Sequence, residues 1–161
     1  FMQILRLLSK TKSNGRRGAW DYSFDDVELI LERYAGIALT EIHITGGVHP
    51  THDLDWWCEL IGRVKKIRPE VHVKAYTAVE IAWMAKKEGL SFEKTLLRLK
   101  NAGLDSLPAG GAEIFAQEIR RQIAGGKAPT DHWLKIHEAV CTKLQDKELR
   151  RQWKLAHYGR E

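Results

Sequence analysis

Three stretches of this 161-residue chain set glycine, hydroxyl, carboxylate and imidazole groups just past short apolar runs: TGGVHP at 45–50, YTAVE at 76–80 and LPAGGAE at 107–113. Paired glycines such as Gly46 and Gly47 let backbone N–H and C=O groups reach a ligand with no Cβ in the way. A tight turn needing positive φ calls for the same residues, so both readings stay open. His49, held extended by Pro50, can present an imidazole to the same place or serve as a hydrogen-bonded loop residue. Thr77 and Glu80 have the spacing of an N-cap and its capping-box partner, and equally of two polar groups facing a cavity. Gly110 and Gly111 precede a helical pattern whose free N–H groups could hold a carboxylate or phosphate. Glu113 in its first turn is favoured by the helix dipole in any case. Lys74 shares a strand face with Tyr76, and if that face is enclosed the ammonium needs an anionic partner.

The elements that must position these groups alternate. Ser23 caps a helix with Asp26 three residues on, and Gly36 closes it. LTEIHIT follows as a strand with Ile42 and Ile44 on one face. Asp53 or Asp55 caps LDWWCELIGRVKKI, which stops before Pro69. VHVKAYT is a second strand, AVEIAWMAKKEG a helix, and Ser91 caps FEKTLLRLKNAG. LDSLP at 104–108 reads as a third, short strand, and two helical segments follow. This order predicts an α/β fold of about three parallel strands with flanking helices. All three unusual junctions then lie at the C-terminal strand ends, where ligands bind in such folds. The predicted organisation is an irregular segment over 1–22, the α/β body over 23–143 and an atypical helical tail over 144–161.

Composition narrows the function classes. Lys and Arg exceed Asp and Glu by 26 − 21 = 5, and these charges fall on helical stretches, as expected of a solvated face and not of a nucleic-acid groove. Cys58 and Cys141 are the only cysteines and form no metal or redox motif, so no metal ligand is assigned. No signal-peptide pattern or membrane-length apolar run occurs, so the expected location is the cytoplasm. No dinucleotide fingerprint, Walker loop, zinc-protease motif or serine elbow is present.

Together, EIHITGGVHP, VHVKAYTAVEI, GLDSLPAGGAEIF and HWLKIHEAV resemble the radical S-adenosylmethionine enzymes of futalosine-dependent menaquinone synthesis, from about Ser23 to Cys141. The resemblance implies part of a radical SAM (β/α) TIM-like barrel. It places Gly46 and Gly47 against the amino-acid end of S-adenosylmethionine, with Thr77 and Glu80 beside the cofactor. It places His49, Lys74, Ser106 and Glu113 toward a small-molecule substrate, an enolpyruvyl-ether benzoate. The family holds a [4Fe–4S] cluster with C-x-x-x-C-x-x-C ahead of the first helix. The matching stretch here, LRLLSKTKSNGRRGAWDYS, has no cysteine, so the cluster ligands are absent from this chain. Ala109 stands where the family usually has a third glycine, and the length is that expected of an interior fragment. A non-catalytic α/β binding module is the expectation from a different class.

Overall fold

A computed structural model describes residues 2–6, 21–46, 48–108, 114–123 and 128–143. The elements run β1 (Met2–Arg6), α1 (Phe24–Arg33), β2 (Glu41–Thr45), α2 (Leu54–Ile67), β3 (His72–Ala75), α3 (Ala78–Glu88), α4 (Phe92–Asn101), α5 (Gln117–Ile123) and α6 (Thr130–Lys143). The three strands form one parallel sheet in the order β1-β2-β3. Ile42 pairs with Val73 and Ile44 with Ala75. These four side chains are fully buried in one core with Trp57, Leu60, Ile61 and Val64 of α2, Ile81 of α3, and Leu96 and Leu99 of α4. The same core takes in Val27 and Leu31 of α1 and Ile136 and Val140 of α6.

Local chemistry explains the helix ends. Ser23 Oγ accepts from the Asp26 N–H while Asp26 reaches back to the Ser23 N–H, a complete capping box. Of the two aspartates available to α2, Asp53 is the cap, accepting from the Trp56 N–H at 2.8 Å. Gly89 ends α3 in the left-handed conformation that a residue without Cβ adopts freely.

Two sequence expectations are corrected. The segment 1–22 is not irregular throughout: Met2–Arg6 is a strand in register with Glu41–Thr45. Its sequence, MQILR, sets Ile4 and Leu5 side by side instead of alternating as EIHIT does at 41–45, so local pattern does not reveal it. Conversely, 104–108 is not a third strand. It contributes one bridge, Ser106 to Lys74, because Asp105 uses its side chain as well as its backbone: Oδ2 accepts from the Val73 N–H at 2.8 Å while the Asp105 and Ser106 N–H groups share the Val73 carbonyl. Pro108, lacking an N–H, cannot extend a ladder. The sheet thus keeps three strands, but a different three. Residues 144–161 lie outside the described residues.

Candidate functional site

The tips of β2 and β3 lie side by side, their last backbone bond running from the Tyr76 N–H to the Ile44 carbonyl at 3.2 Å. Beyond it Tyr76 is left-handed, φ 63°, a conformation costing a bulky residue roughly 1–3 kcal/mol. The buried ring compensates: it packs edge-on against Trp57 and donates its hydroxyl to the Trp57 carbonyl at 3.2 Å. Burial, with the Glu80 charge adding to it, raises the Tyr76 pKa well above the ordinary phenol value. This turn delivers Thr77 as the N-cap of α3.

Glu80, one turn into α3 and 4% exposed, closes the tip. Its Oε1 accepts from the Gly46 N–H at 2.9 Å, and its Oε2 accepts from the Thr77 N–H at 2.7 Å and the Thr77 hydroxyl at 2.8 Å. Gly46, Thr77 and Glu80, chosen from the sequence one junction at a time, are therefore one hydrogen-bonded unit. The need for glycine at 46 has a cause that neither sequence reading contained. Its φ is not positive, and an added Cβ would lie 2.7 Å from Cη2 and 2.9 Å from Cζ3 of the buried Trp57 indole. Gly47, Gly110, Gly111, Ala109 and Glu113 lie outside the described residues.

His49, three residues after Gly46, is 6% exposed. Its Nδ1 accepts from the Thr51 and His52 N–H groups at 3.2 and 3.1 Å, and its Nε2 is 3.4 Å from Asp21 Oδ2. His52 stacks between His49 and Trp56, which stacks in turn on Phe24 under Arg63. Burial lowers the His52 pKa, and the nearby His49 adds to that. Asp21, His49 and His52 are the one group among the described residues close enough to share a metal ion, and sequence reasoning passed over Asp21 and His52. The visible signal was the pair His49-x-x-His52, with Asp21 28 residues upstream of the first. The geometry argues against a metal: an Nδ1 that accepts two backbone N–H groups leaves the proton of the neutral ring on Nε2, where a metal would need a lone pair. The two imidazole planes also lie within 13° of parallel at 3.7 Å, so the in-plane lone pairs of the two rings run side by side instead of meeting at one point. Asp21 instead lies 3.4 Å from His49 Nε2 and 3.6 Å from His52 Nε2, which brings the start of α1 beside the turn before α2.

Lys74 and Ser106 belong to a second group, on the sheet face turned away from the helices. Lys74 has the anionic partner the sequence called for: its Nζ is 3.3 Å from Glu41 Oε1, which also takes a short bond from His43. Burial pushes the Glu41 pKa up, but its bonds to His43 and Lys74 and their charges outweigh this and leave it below the ordinary carboxylate value. Ser106, buried, lies 2.7 Å from His72 Nε2. The same nitrogen faces Glu41 Oε2 at 3.9 Å. An acid–imidazole–serine relay needs the two ring nitrogens on opposite partners, so this trio is a polar lining and not a nucleophile.

The cysteines do not fit an iron–sulfur cluster. Cys58 is half-buried on α2 and Cys141 buried on α6, and neither joins the candidate metal group. Burial, the main influence, raises the Cys58 pKa, which disfavours the thiolate a cluster requires. Two cysteines are fewer than the family triad.

No protein-family profile matches the chain. It is 45% identical over 127 residues to the aminodeoxyfutalosine synthase of Thermus thermophilus, a span covering 78% of this chain and 34% of that protein. It is 37% identical over 113 residues to the 5-amino-6-(D-ribitylamino)uracil–L-tyrosine 4-hydroxyphenyl transferase of Methanopyrus kandleri, covering 65% of this chain and 31% of that one. With the FO synthase of Mycobacterium tuberculosis it shares 38% over 97 residues, 60% of this chain and 11% of that protein. The chain is thus related to radical S-adenosylmethionine enzymes and is most fully matched, among these three, by aminodeoxyfutalosine synthase. It spans about a third or less of the length of the relatives it matches. No helix among the described residues is long and apolar enough to cross a membrane.

Proposed function

We propose that this chain is a segment of a radical S-adenosylmethionine transferase of the aminodeoxyfutalosine synthase type, inactive by itself. The observation that carries this reading is the 45% identity over 78% of the chain. The hydrogen-bonded tip of Gly46, Thr77 and Glu80 supports it, because it lies where a parallel α/β fold presents ligands. In this reading Gly46, Gly47, Thr77 and Glu80 form the cofactor side. His49, Lys74, Ser106 and Glu113 form the substrate side, and the sheet is one arc of a barrel. The whole enzyme would join the adenosyl part of S-adenosylmethionine to an enolpyruvyl-ether benzoate, a step in menaquinone biosynthesis. No step is assigned here to the iron–sulfur cluster, whose ligands this chain lacks.

The chain's part is binding and enclosure. A turn fixed by a buried carboxylate gives a ligand a rigid surface, so little ordering entropy is spent on docking. Lys74, half-buried beside Glu41, His43 and His72, offers the opposite sheet face a positive centre for an anionic substrate group. A sister activity is the second reading, favoured by the 37% and 38% identities to the 4-hydroxyphenyl transferase and FO synthase; cyclic dehypoxanthine futalosine synthase is a further sister. All three share the cofactor, and only the substrate side distinguishes them.

The binding part is testable on the chain itself. Isothermal titration with S-adenosylmethionine is expected to give saturable one-to-one binding without added iron. Heats no larger than dilution would contradict the cofactor role of this tip.

A further inference from the structure

We propose that Glu80, within the cofactor side, acts as a positioning residue, which sets the backbone of the Gly46 turn from the neighbouring strand's helix. This rests on the cofactor reading above for its functional consequence, but its structural basis is independent. Past the Tyr76–Ile44 bond, β2 and β3 enter separate turns, and among the described residues the Glu80 carboxylate bridges them. Both oxygens are engaged, one by Gly46 and the other twice by Thr77, at 2.7–2.9 Å. Gly46 and Glu80 are 34 residues apart, so the bond links the first junction to the second and is not a local cap.

The Gly46 N–H and the Thr77 N–H and hydroxyl all donate, so the bridge needs an acceptor at both ends of the side chain. A carboxylate provides this; an amide cannot, because its NH2 end would face either the Gly46 or the Thr77 N–H. A group buried to this degree gains no substitute partner from solvent. The ordinary capping-box account covers the Thr77 contacts alone. The Gly46 contact goes beyond it and makes the position of the Gly46 N–H dependent on residue 80.

The test uses the full chain, with Glu80→Gln and Glu80→Asp compared against Ile136→Val, a buried change on α6 that lowers stability and leaves the hydrogen-bonding groups of the tip intact. The readouts are the Gly46 amide signal by 1H–15N NMR, its hydrogen exchange, and the S-adenosylmethionine affinity by titration. In Glu80→Gln the Gly46 amide should move upfield and exchange about tenfold faster, as for the loss of one hydrogen bond, and affinity should fall by a similar factor. Glu80→Asp, one methylene shorter, should keep the Thr77 contacts and lose the Gly46 one, giving the same Gly46 change if Glu80→Gln does not fold. Ile136→Val should move neither signal nor affinity. A Gly46 amide unchanged in the Glu80 variants, or changed equally in Ile136→Val, overturns the proposal. A wild-type chain that does not bind S-adenosylmethionine sinks the cofactor reading alone, since the Gly46 signal still decides the role of Glu80.

Discussion

Replacing Gly46 with alanine will destabilise the chain by about 1–3 kcal/mol, the range for a methyl group forced into a packed core, and shrinking Trp57 will remove most of that cost. The added Cβ would meet the Trp57 ring at 2.7 and 2.9 Å. The ring cannot step aside, because it is 1% exposed and packed edge-on against Trp56, His52 and Tyr76. Trp57→Leu alone will cost about 3–5 kcal/mol, close to the range for truncating a buried aromatic. The double variant, Gly46→Ala with Trp57→Leu, should then cost at least about 1 kcal/mol less than the sum of the singles, since the leucine leaves space for the methyl. Urea denaturation of the four proteins measures this. Strict additivity would mean that the glycine is needed for something other than room beneath the indole.

A second large effect is expected at Asp105. Its Oδ2 accepts from the Lys65 ammonium at 2.6 Å and from the Val73 N–H at 2.8 Å, while Lys65 also donates to the Val71 carbonyl at 2.7 Å. Asp105→Ala strands the amide of a fully buried residue on β3, which costs about 1–3 kcal/mol. Asp105→Asn keeps an acceptor for Val73 and loses mainly the pairing with Lys65. That pair is partly exposed, so it contributes about 0–1 kcal/mol. The alanine variant should therefore unfold at clearly lower denaturant than the asparagine variant. Equal midpoints would assign the effect to the ion pair and not to the buried amide.

These two sites show what could be read from the chain beforehand. Helix starts were legible because Ser23, Asp53, Thr77 and Ser91 act over three residues, within the reach of local pattern. The strands β2 and β3 were legible from apolar alternation. The partner for Lys74 followed from charge burial alone, though its identity as Glu41 did not, because it depends on the parallel register that sets Glu41 opposite His72. What escaped was long-range. Nothing near Gly46 announces that an indole 11 residues on occupies its missing side chain. The Glu80 link spans 34 residues, and β1 exists through its ladder to β2. The segment 104–108 misled because an aspartate side chain can stand in for a ladder bond at a sheet edge.

The candidate site was legible in part for the same reason. Unusual residues at strand ends named Gly46, His49, Thr77 and Glu80; the structure joins Gly46, Thr77 and Glu80 in one tip and packs His49 with His52 and Asp21. It places Lys74 and Ser106 elsewhere on the sheet, held by Glu41 and His72. Distinguishing the two groups required the strand faces and the hydrogen bonds.

The central claim, that this chain is a segment of an aminodeoxyfutalosine-forming enzyme, is tested most directly by transplantation. The matching 127-residue span of the Thermus thermophilus enzyme would be exchanged for the corresponding residues of this chain, leaving that protein's own remaining sequence in place. The chimera would be reconstituted with its cluster and incubated with S-adenosylmethionine and the enolpyruvyl-ether benzoate. The account predicts aminodeoxyfutalosine as the product. A folded, cluster-loaded chimera that cleaves S-adenosylmethionine yet forms no aminodeoxyfutalosine would contradict it, and would move the substrate side of this chain to a sister reaction.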